Sequence, residues 1–234
     1  DIAAAYKPNS AFFEAFGPEG WQALKEVIAA VPEGIPVILD SKRGDISSTA
    51  DAYARSAFVN LNGGGITLNP YLGYDSIQPF LKDPNRGVFL LCKTSNPGAM
   101  DLQDLHLAGE HMPLRLFEKV ALLAHEWNMD KNIGLVVGAT QVEALHCVRE
   151  LVPDMWILAP GVGPQGADLA LALQEGLRAD KSGLLIPVSR AISKAPDMRQ
   201  AALDLHAKIK QHVSDCCPTA ATSLFKKMSL PGTT

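Results

Sequence analysis

Short apolar runs alternate with longer segments of helical periodicity along most of the chain. Near-continuous apolar strands that alternate with helices are typical of a parallel sheet covered on both faces. The spacing therefore predicts an α/β fold. The predicted strands are Ile2–Tyr6, Pro36–Leu39, Gly65–Leu68, Val88–Cys92, Gly134–Val137, Trp156–Leu158 and Gly183–Val188.

Two amphipathic segments between and after these strands predict helices. Pro18 suits the first helical turn, and the apolar face that follows it holds Trp21, Leu24, Val27 and Ile28. The last helix has an apolar face made of Met198, Ala202, Leu205, Ile209 and Val213. After about residue 214 the pattern gives way to a segment rich in Ser, Thr, Pro and Gly. We predict one domain over residues 1–213 and a tail or linker over residues 214–234.

The number of strands decides between two α/β architectures. A closed (β/α)8 barrel needs eight strands, and the first of the seven candidates begins at residue 2 with no helix before it. An open doubly wound sheet usually carries a GxGxxG turn directly after its first strand, and no such turn follows the first predicted strand here. We therefore predict a (β/α)8 TIM barrel and expect its first strand and helix to lie upstream of Asp1.

Composition and charge exclude several functional classes. A hydrophobic fraction of 47% fits a globular core and excludes a disordered chain. The 21 basic and 25 acidic residues are scattered, so we expect no nucleic-acid partner. No apolar run approaches the roughly 18 residues that span a bilayer, so we expect no membrane association. The four cysteines lack CxxC or disulfide-scaffold spacing, which indicates a reduced intracellular protein, and we expect a cytoplasmic location.

Charged residues collect where two predicted strands end, which is where a barrel builds its active site. Lys7 ends the first strand, Asp40 and Lys42 end the second, and Asp45 follows closely. Strand alternation puts Asp40 and Lys42 on one face, so an acid and a base emerge side by side. The four charges sum to zero and can therefore be desolvated together. An ordinary salt-bridge cluster at the barrel rim is the alternative interpretation.

A second group of residues predicts a phosphate site. A glycine-rich loop, Pro160-Gly161-Val162-Gly163-Pro164-Gln165-Gly166, follows the penultimate strand, and Ser189-Arg190 follows the last. Barrels frequently bind phosphate between the loops of these two strands. Glycines let backbone N–H groups approach the anion, and a guanidinium pairs phosphate oxygens bidentately.

The remaining candidate residues do not indicate a metal site or a further catalytic group. The six histidines have no metal-ligand spacing such as HExxH, so we predict no metal site. Cys92 lies inside an apolar strand and is more typical of a small core residue than of a nucleophile. Asp101 and Asp104 are interpreted as capping or loop carboxylates.

The segment Asp40-Ser41-Lys42-Arg43-Gly44-Asp45-Ile46, followed by Thr49, is similar to the DxKxxD signature of orotidine 5'-phosphate decarboxylases. The resemblance continues in family order to about residue 213. The further blocks are Ala5–Asn9, Asn69–Gly73, Lys93–Gly98, Gly134–Thr140 and Ser189-Arg190. The resemblance implies a (β/α)8 barrel that works as a homodimer without metal or organic cofactor. The family's first strand, which supplies an Asp to the ribose, has no counterpart in this sequence. The family is often fused to a phosphoribosyltransferase as UMP synthase, and the tail after residue 214 would lead into such a partner.

The same resemblance implies a role for each charged residue. Lys42 is the proton donor to C6 of the pyrimidine as carbon dioxide departs, and Asp40 is the carboxylate placed against the leaving carboxylate. Lys7 contacts the ribose and orients Asp40. Asp45 and Thr49 reach across the dimer interface to the ribose of the other subunit's substrate. Ser95 reads the pyrimidine edge, Gln165 bridges base and phosphate, and Arg190 holds the phosphate. The other expected substrate-binding residues are Pro160, Gly161, Gly163, Gly166 and Ser189.

Two alternative functions remain open at this point. A Schiff-base aldolase on the same scaffold would use Lys42 or Lys7 as its nucleophile toward a phosphorylated substrate. Borohydride would trap its substrate–lysine adduct, which the direct decarboxylation described above does not form. A non-catalytic nucleotide-binding domain of a fusion protein would bind phosphate without turnover, and the presence of all four charged residues argues against it.

Overall fold

The computed structural model describes residues 2–108, 113–162 and 167–215. Within these residues, a sheet of six strands has the order β1-β2-β3-β4-β5-β6, and every neighbouring pair is parallel. The alternating pattern predicts this arrangement of parallel strands connected by helices. The strands are β1 Ile38–Arg43, β2 Gly65–Leu68, β3 Gly87–Lys93, β4 Ile133–Val137, β5 Trp156–Leu158 and β6 Leu184–Leu185.

Helices connect the strands and cover the sheet. They are α1 Ser10–Glu14, α2 Gly17–Ala29, α3 Ser47–Arg55, α4 Tyr74–Ile77, α5 Leu116–Trp127, α6 Val142–Leu151, α7 Leu169–Gly176, α8 Arg190–Ser193 and α9 Met198–Asp215. A π-helical turn, Ser56–Asn60, extends α3, and short 3-10 turns follow β2 and β3. None of the helices in the described part of the chain is both long and apolar enough to cross a bilayer.

The predicted strand at each end of the sheet differs from the structure. Residues 2–6 form no strand, and the chain instead makes isolated parallel bridges from Tyr6 to Val37, just before β1, and from Asn9 to Asp40 in β1. Pro8 lies between the bridges and has no N–H to donate, which interrupts the ladder. The strand predicted over Gly183–Val188 shortens to β6, because Pro187 likewise cannot donate to a neighbour.

Strand side chains divide into an outer and an inner layer. Those that face the helices form the main core, with Leu39, Leu68, Leu90 and Leu135 among its fully buried members. The inner layer is a smaller cluster made of Ile38, Phe89, Val136 and Leu158. Alternation therefore sends β1, β3, β4 and β5 side chains to one shared interior, as in a curved sheet.

The helix faces agree with the pattern only in part. In α2, Leu24 and Ile28 are buried as predicted, whereas Val27 is exposed. The face predicted for α9 is half-buried at best, and Met198 at its start is exposed. Helix α9 packs against α7 and α8 and continues to Asp215, two residues past the predicted domain end. The predicted tail from residue 216 onward lies outside the described residues.

Candidate active site

The end of β1 departs from regular strand geometry. Leu39 pairs with Ile66 of β2 and Arg43 pairs with Leu68, so three β1 residues lie opposite Thr67 alone. The backbone N–H groups of Ser41 and Lys42 both donate to Thr67 Oγ1, at 3.1 and 3.0 Å. Lys42 has φ +47°, the left-handed conformation that side chains other than glycine seldom adopt. Such bulges re-aim side chains next to active sites.

This bulge presents a cluster of three charged side chains. Asp40 accepts hydrogen bonds from Lys7 on Oδ2 and from Lys42 on Oδ1. The Thr67 hydroxyl also donates to Oδ1, at 3.2 Å. The Asp40 side chain is only 12% exposed, whereas the Lys42 side chain is 48% exposed. One carboxylate between two ammonium groups leaves the cluster with one net positive charge, which favours an anionic ligand on the open side.

Two opposing effects set the charge of Asp40. Burial of its carboxyl raises the pKa, but hydrogen bonds from Lys42 and Lys7, together with their positive charges, lower it by more. The net pKa of Asp40 is below its ordinary value. The carboxylate is therefore ionised at neutral pH and holds both ammonium groups in place.

Asp45 and Thr49 lie beyond this cluster. The Asp45 carboxylate accepts a hydrogen bond from Ile46 N at 2.8 Å, and within the described ranges it forms no ion pair with either lysine. Thr49 is exposed in the first turn of α3. The expectation of four charges in one cluster is therefore wrong for a single chain, which brings together three.

Ser95 follows β3 in a loop that is held by buried polar contacts. The buried Lys93 donates from Nζ to both carboxylate oxygens of Asp104, at 2.6 and 2.7 Å. The next residue, Thr94, donates its N–H to Gln103 Oε1 at 2.8 Å. A Cβ on Gly138 would lie 3.0 Å from Ser95 Cβ, so the loop packs closely on the end of β4. Asp104, expected to be a capping or loop carboxylate, therefore pairs with a buried lysine.

The predicted phosphate residues follow the neighbouring strands β5 and β6. Pro160 O accepts a hydrogen bond from Ala139 N at 2.7 Å, and Gly161 has φ +116°, which a side chain would not tolerate. Ser189 and Arg190 are exposed where α8 begins, and across the described ranges Arg190 has no carboxylate partner. The remaining predicted residues, Gly163, Gln165 and Gly166, lie outside the described residues.

The other sequence candidates lie away from this cluster. Cys92 is fully buried, and that burial raises the pKa of its thiol, which suits a core residue. His146 lies at the surface, 2.8 Å from Glu175. Among the residues that the structure describes, no three His, Cys, Asp or Glu side chains are placed to hold a metal ion.

Sequence reasoning missed Thr67, which contacts both the backbone of Lys42 and the carboxylate of Asp40. Its signal was present, because it is a polar residue inside the apolar run Gly65–Leu68. Alternation also places it between Ile66 and Leu68, which face the helices, and so on the inner side of the sheet.

Comparisons with known proteins establish the family. A sequence model of the "Orotidine 5'-phosphate decarboxylase / HUMPS family" matches residues 1–205. The chain belongs to this family. An orotidine 5'-phosphate decarboxylase from Roseiflexus castenholzii is 53% identical over 193 residues, which cover 82% of this chain and 70% of the relative.

Solved structures agree. Leishmania donovani OMP decarboxylase matches with a TM-score of 0.85 and 54% identity, covering 91% of this chain and 82% of that one. The Leishmania donovani UMP synthase matches with a TM-score of 0.87 and 55% identity, covering 91% of this chain and 47% of that one. The predicted TIM-barrel fold is thereby confirmed. So is the predicted activity: the chain is a carboxy-lyase that converts orotidine 5'-phosphate (OMP) to UMP and carbon dioxide in pyrimidine biosynthesis.

Proposed function

We propose that Lys42 donates the proton that replaces the departing carboxylate at C6 of OMP. The observation that carries this proposal is the pairing of both Lys42 and Lys7 with the single carboxylate of Asp40. This pairing fixes the direction of the Lys42 ammonium, while its 48% exposed side chain leaves that ammonium open to substrate. A proton donor needs a fixed direction and access to the reacting atom.

The chemistry requires such a fixed cation. The bond between C6 and the carboxylate breaks, carbon dioxide leaves, and the electron pair stays on C6, which has no adjacent carbonyl to delocalise it. Lys42 Nζ then gives its proton to C6 and regains one from solvent. Enzymes lower barriers by about 8–23 kcal/mol, and this reaction needs the upper part of that range. A preorganised ammonium stabilises the developing charge without reorganisation.

Asp40 contributes through its own negative charge. With OMP bound, its carboxylate would lie against the substrate carboxylate, and the repulsion disappears as carbon dioxide departs. Because the pKa of Asp40 is lowered, this charge persists at neutral pH. Lys7 pairs with the other oxygen of Asp40. With OMP bound, Lys7 would orient that carboxylate and reach the ribose.

Contacts remote from C6 would supply binding energy for this arrangement. Ser95 would read the pyrimidine edge, and Arg190 would hold the phosphate together with Ser189. Pro160, Gly161, Gly163, Gln165 and Gly166 complete the proposed phosphate and base contacts. The lack of a carboxylate partner for Arg190 in the described part of the chain supports this role. Binding energy from the phosphate can then position the base for reaction.

We further propose a homodimer in which Asp45 and Thr49 serve the partner's site. Exposed apolar side chains follow three neighbouring strands at one edge of the sheet, and such a patch suits a second copy of the chain. They are Ile46 after β1, Tyr71 and Leu72 after β2, and Met100, Leu102 and Leu105 after β3. The match to a UMP synthase supports the predicted fusion to a phosphoribosyltransferase. The cytoplasmic location stays a prediction.

The loss of OMP absorbance on incubation with the purified protein tests the proposal. Lys42→Ala should abolish turnover and leave UMP affinity largely intact, because its main interaction develops in the transition state. Lys208→Ala, which removes an exposed lysine of α9, is the matched control and should behave as wild type. Turnover by Lys42→Ala within about tenfold of wild type would contradict the role of Lys42 as proton donor. A borohydride-trapped adduct on Lys42 would indicate the Schiff-base alternative.

A further inference from the structure

Thr67 is one of the few polar residues that are almost fully buried in the described part of the chain, at 1% exposed. It lies in β2 between two apolar residues of the main core, and its own side chain faces the inner side of the sheet. Burial of a hydroxyl without hydrogen bonds costs free energy, so its partners matter. All of them belong to the end of β1.

The Thr67 hydroxyl uses its full hydrogen-bonding capacity there. A hydroxyl has one donor and two acceptor positions. Thr67 Oγ1 accepts from Ser41 N at 3.1 Å and from Lys42 N at 3.0 Å, and it donates to Asp40 Oδ1 at 3.2 Å. One atom thus contacts three consecutive residues of β1.

The contacts to the Thr67 hydroxyl replace the backbone hydrogen bonds between β1 and β2 that the bulge removes. Because three β1 residues lie opposite one β2 residue, the N–H groups of Ser41 and Lys42 cannot pair with strand carbonyls in the regular way. The hydroxyl satisfies both and so supports the left-handed backbone of Lys42, at φ +47°. This conformation costs energy and persists only where surrounding contacts hold it.

The third contact acts on the carboxylate. Asp40 Oδ2 is held by Lys7, while Oδ1 receives both Lys42 and the Thr67 hydroxyl. The lysine side chains are long and flexible, whereas Thr67 is β-branched, buried and fixed to the sheet. Of the three groups that donate to the carboxylate, Thr67 is therefore the rigid one.

We propose that Thr67 is a positioning residue that sets the direction of both the Asp40 carboxylate and the Lys42 ammonium toward C6 of the substrate. The inference rests on the roles proposed above for Asp40 and Lys42. It predicts that the hydroxyl affects the chemical step far more than ligand binding, because it acts on groups that surround C6 and not on the phosphate contacts.

Thr67→Val tests the inference, since valine keeps the shape and removes only the hydroxyl. We expect kcat to fall about 100-fold, the effect of a displacement of about 1 Å among reacting groups. UMP affinity should change little. Thr67→Ser restores the hydroxyl and should recover most of kcat, which a loss of packing alone would not allow.

Asn128→Ala is the matched control. Asn128 Oδ1 accepts from Ile133 N at 2.8 Å, so this change also orphans a strand N–H, but at the opposite end of the sheet. It should lower stability and leave kcat unchanged. If Thr67→Val does not fold, Thr67→Cys, whose thiol is a weak donor and acceptor, should show the same selective loss of kcat.

Two results would overturn the inference: unchanged kcat in the folded valine or cysteine variant, or equal losses in Thr67→Ser and Thr67→Val. The failure of the proposed mechanism is a separate outcome, because it would appear as turnover in Lys42→Ala whatever happens at Thr67.

Discussion

Asp45 provides a sharp test of how the active site is assembled. Lys7 and Lys42 already share Asp40, whereas the Asp45 carboxylate contacts only its own neighbour Ile46 N among the described residues. Gly44 lies between Lys42 and Asp45 and packs on Asn69, where an added Cβ would be 3.1 Å from the carbonyl oxygen. Within its own chain, the Asp45 carboxylate forms no ion pair with the cluster among the described residues. We expect Asp45 to complete the site of a second subunit.

Subunit mixing turns this expectation into a quantitative prediction of the activity that two inactive variants recover together. Lys42→Ala and Asp45→Ala should each be inactive alone. In a mixed dimer, one site combines intact Lys42 with the partner's intact Asp45, and the other site lacks both. Random exchange makes about half of the dimers mixed, and each has one good site of two, so activity should return to about a quarter of wild type.

The assay follows OMP absorbance after equal amounts of the two variants exchange subunits, with exchange verified by native mass spectrometry. Mixing Lys42→Ala with Asp40→Asn is the matched control. The structure pairs these two residues within one chain, so no mixed dimer contains an intact site. Activity in the control would mean that recovery has another cause.

The composite site would be refuted if the Lys42→Ala and Asp45→Ala mixture stayed at the level of the separate variants after verified exchange. That result would place both residues at the same chain's site. Recovery well above a quarter would contradict random pairing of two equivalent sites.

Three further predictions concern phosphate, stability and pH. Arg190→Ala should weaken nucleotide binding and lower kcat while nucleoside binding stays unchanged; equal losses for nucleotide and nucleoside, measured by calorimetry, would contradict a phosphate contact. Arg149→Met should lower the free energy of unfolding in urea by about 2–4 kcal/mol, whereas Lys208→Met should leave it unchanged. The reason is that the Arg149 guanidinium donates to the carbonyls of Gly176 in α7 and of Met155 and Gly183, which precede β5 and β6. The pKa of Asp40 is lowered on folding, so its ionised form stabilises the protein above pH 3.8, its ordinary pKa, and this stabilisation is lost on further acidification. In urea titrations, the loss of unfolding free energy caused by Asp40→Asn should therefore be full at pH 7 and shrink toward pH 3.

The order of the elements and the position of the charged residues follow from local pattern. Apolar runs of about the right length and the polar residues after them place Lys7, Asp40 and Lys42 at strand ends, and the structure finds them in one cluster. Where a predicted strand was too long, a proline was responsible. Pro8 and Pro187 shorten the two outer predicted strands, because neither can donate to a ladder.

The contacts that hold the site depend on residues distant in sequence. Arg149 looks like a surface cation in an amphipathic helix, yet it is half-buried and donates to carbonyls of Gly176 and Gly183. Desolvation lowers its pKa to about 10, so it remains charged at neutral pH. The period of α6 predicts which face is buried. It does not predict that the carbonyls of Val152, just after α6, and of Gly176, at the end of α7, both accept from one guanidinium.

Strand alternation correctly predicts that Asp40 and Lys42 lie together, but alternation is only part of the physical reason. The bulge at the end of β1 is the other part. Alternation sends Asp40 and Lys42 to the same face, but a regular strand would pair Ser41 and Lys42 with β2 and give Lys42 a negative φ. The structure instead places these residues opposite Thr67 alone, with Lys42 at φ +47°. The two side chains meet because a non-local hydroxyl stabilises a bent backbone. The geometry of the Asp40–Lys42 pair therefore depends on Thr67 of β2 as much as on the segment Asp40–Asp45.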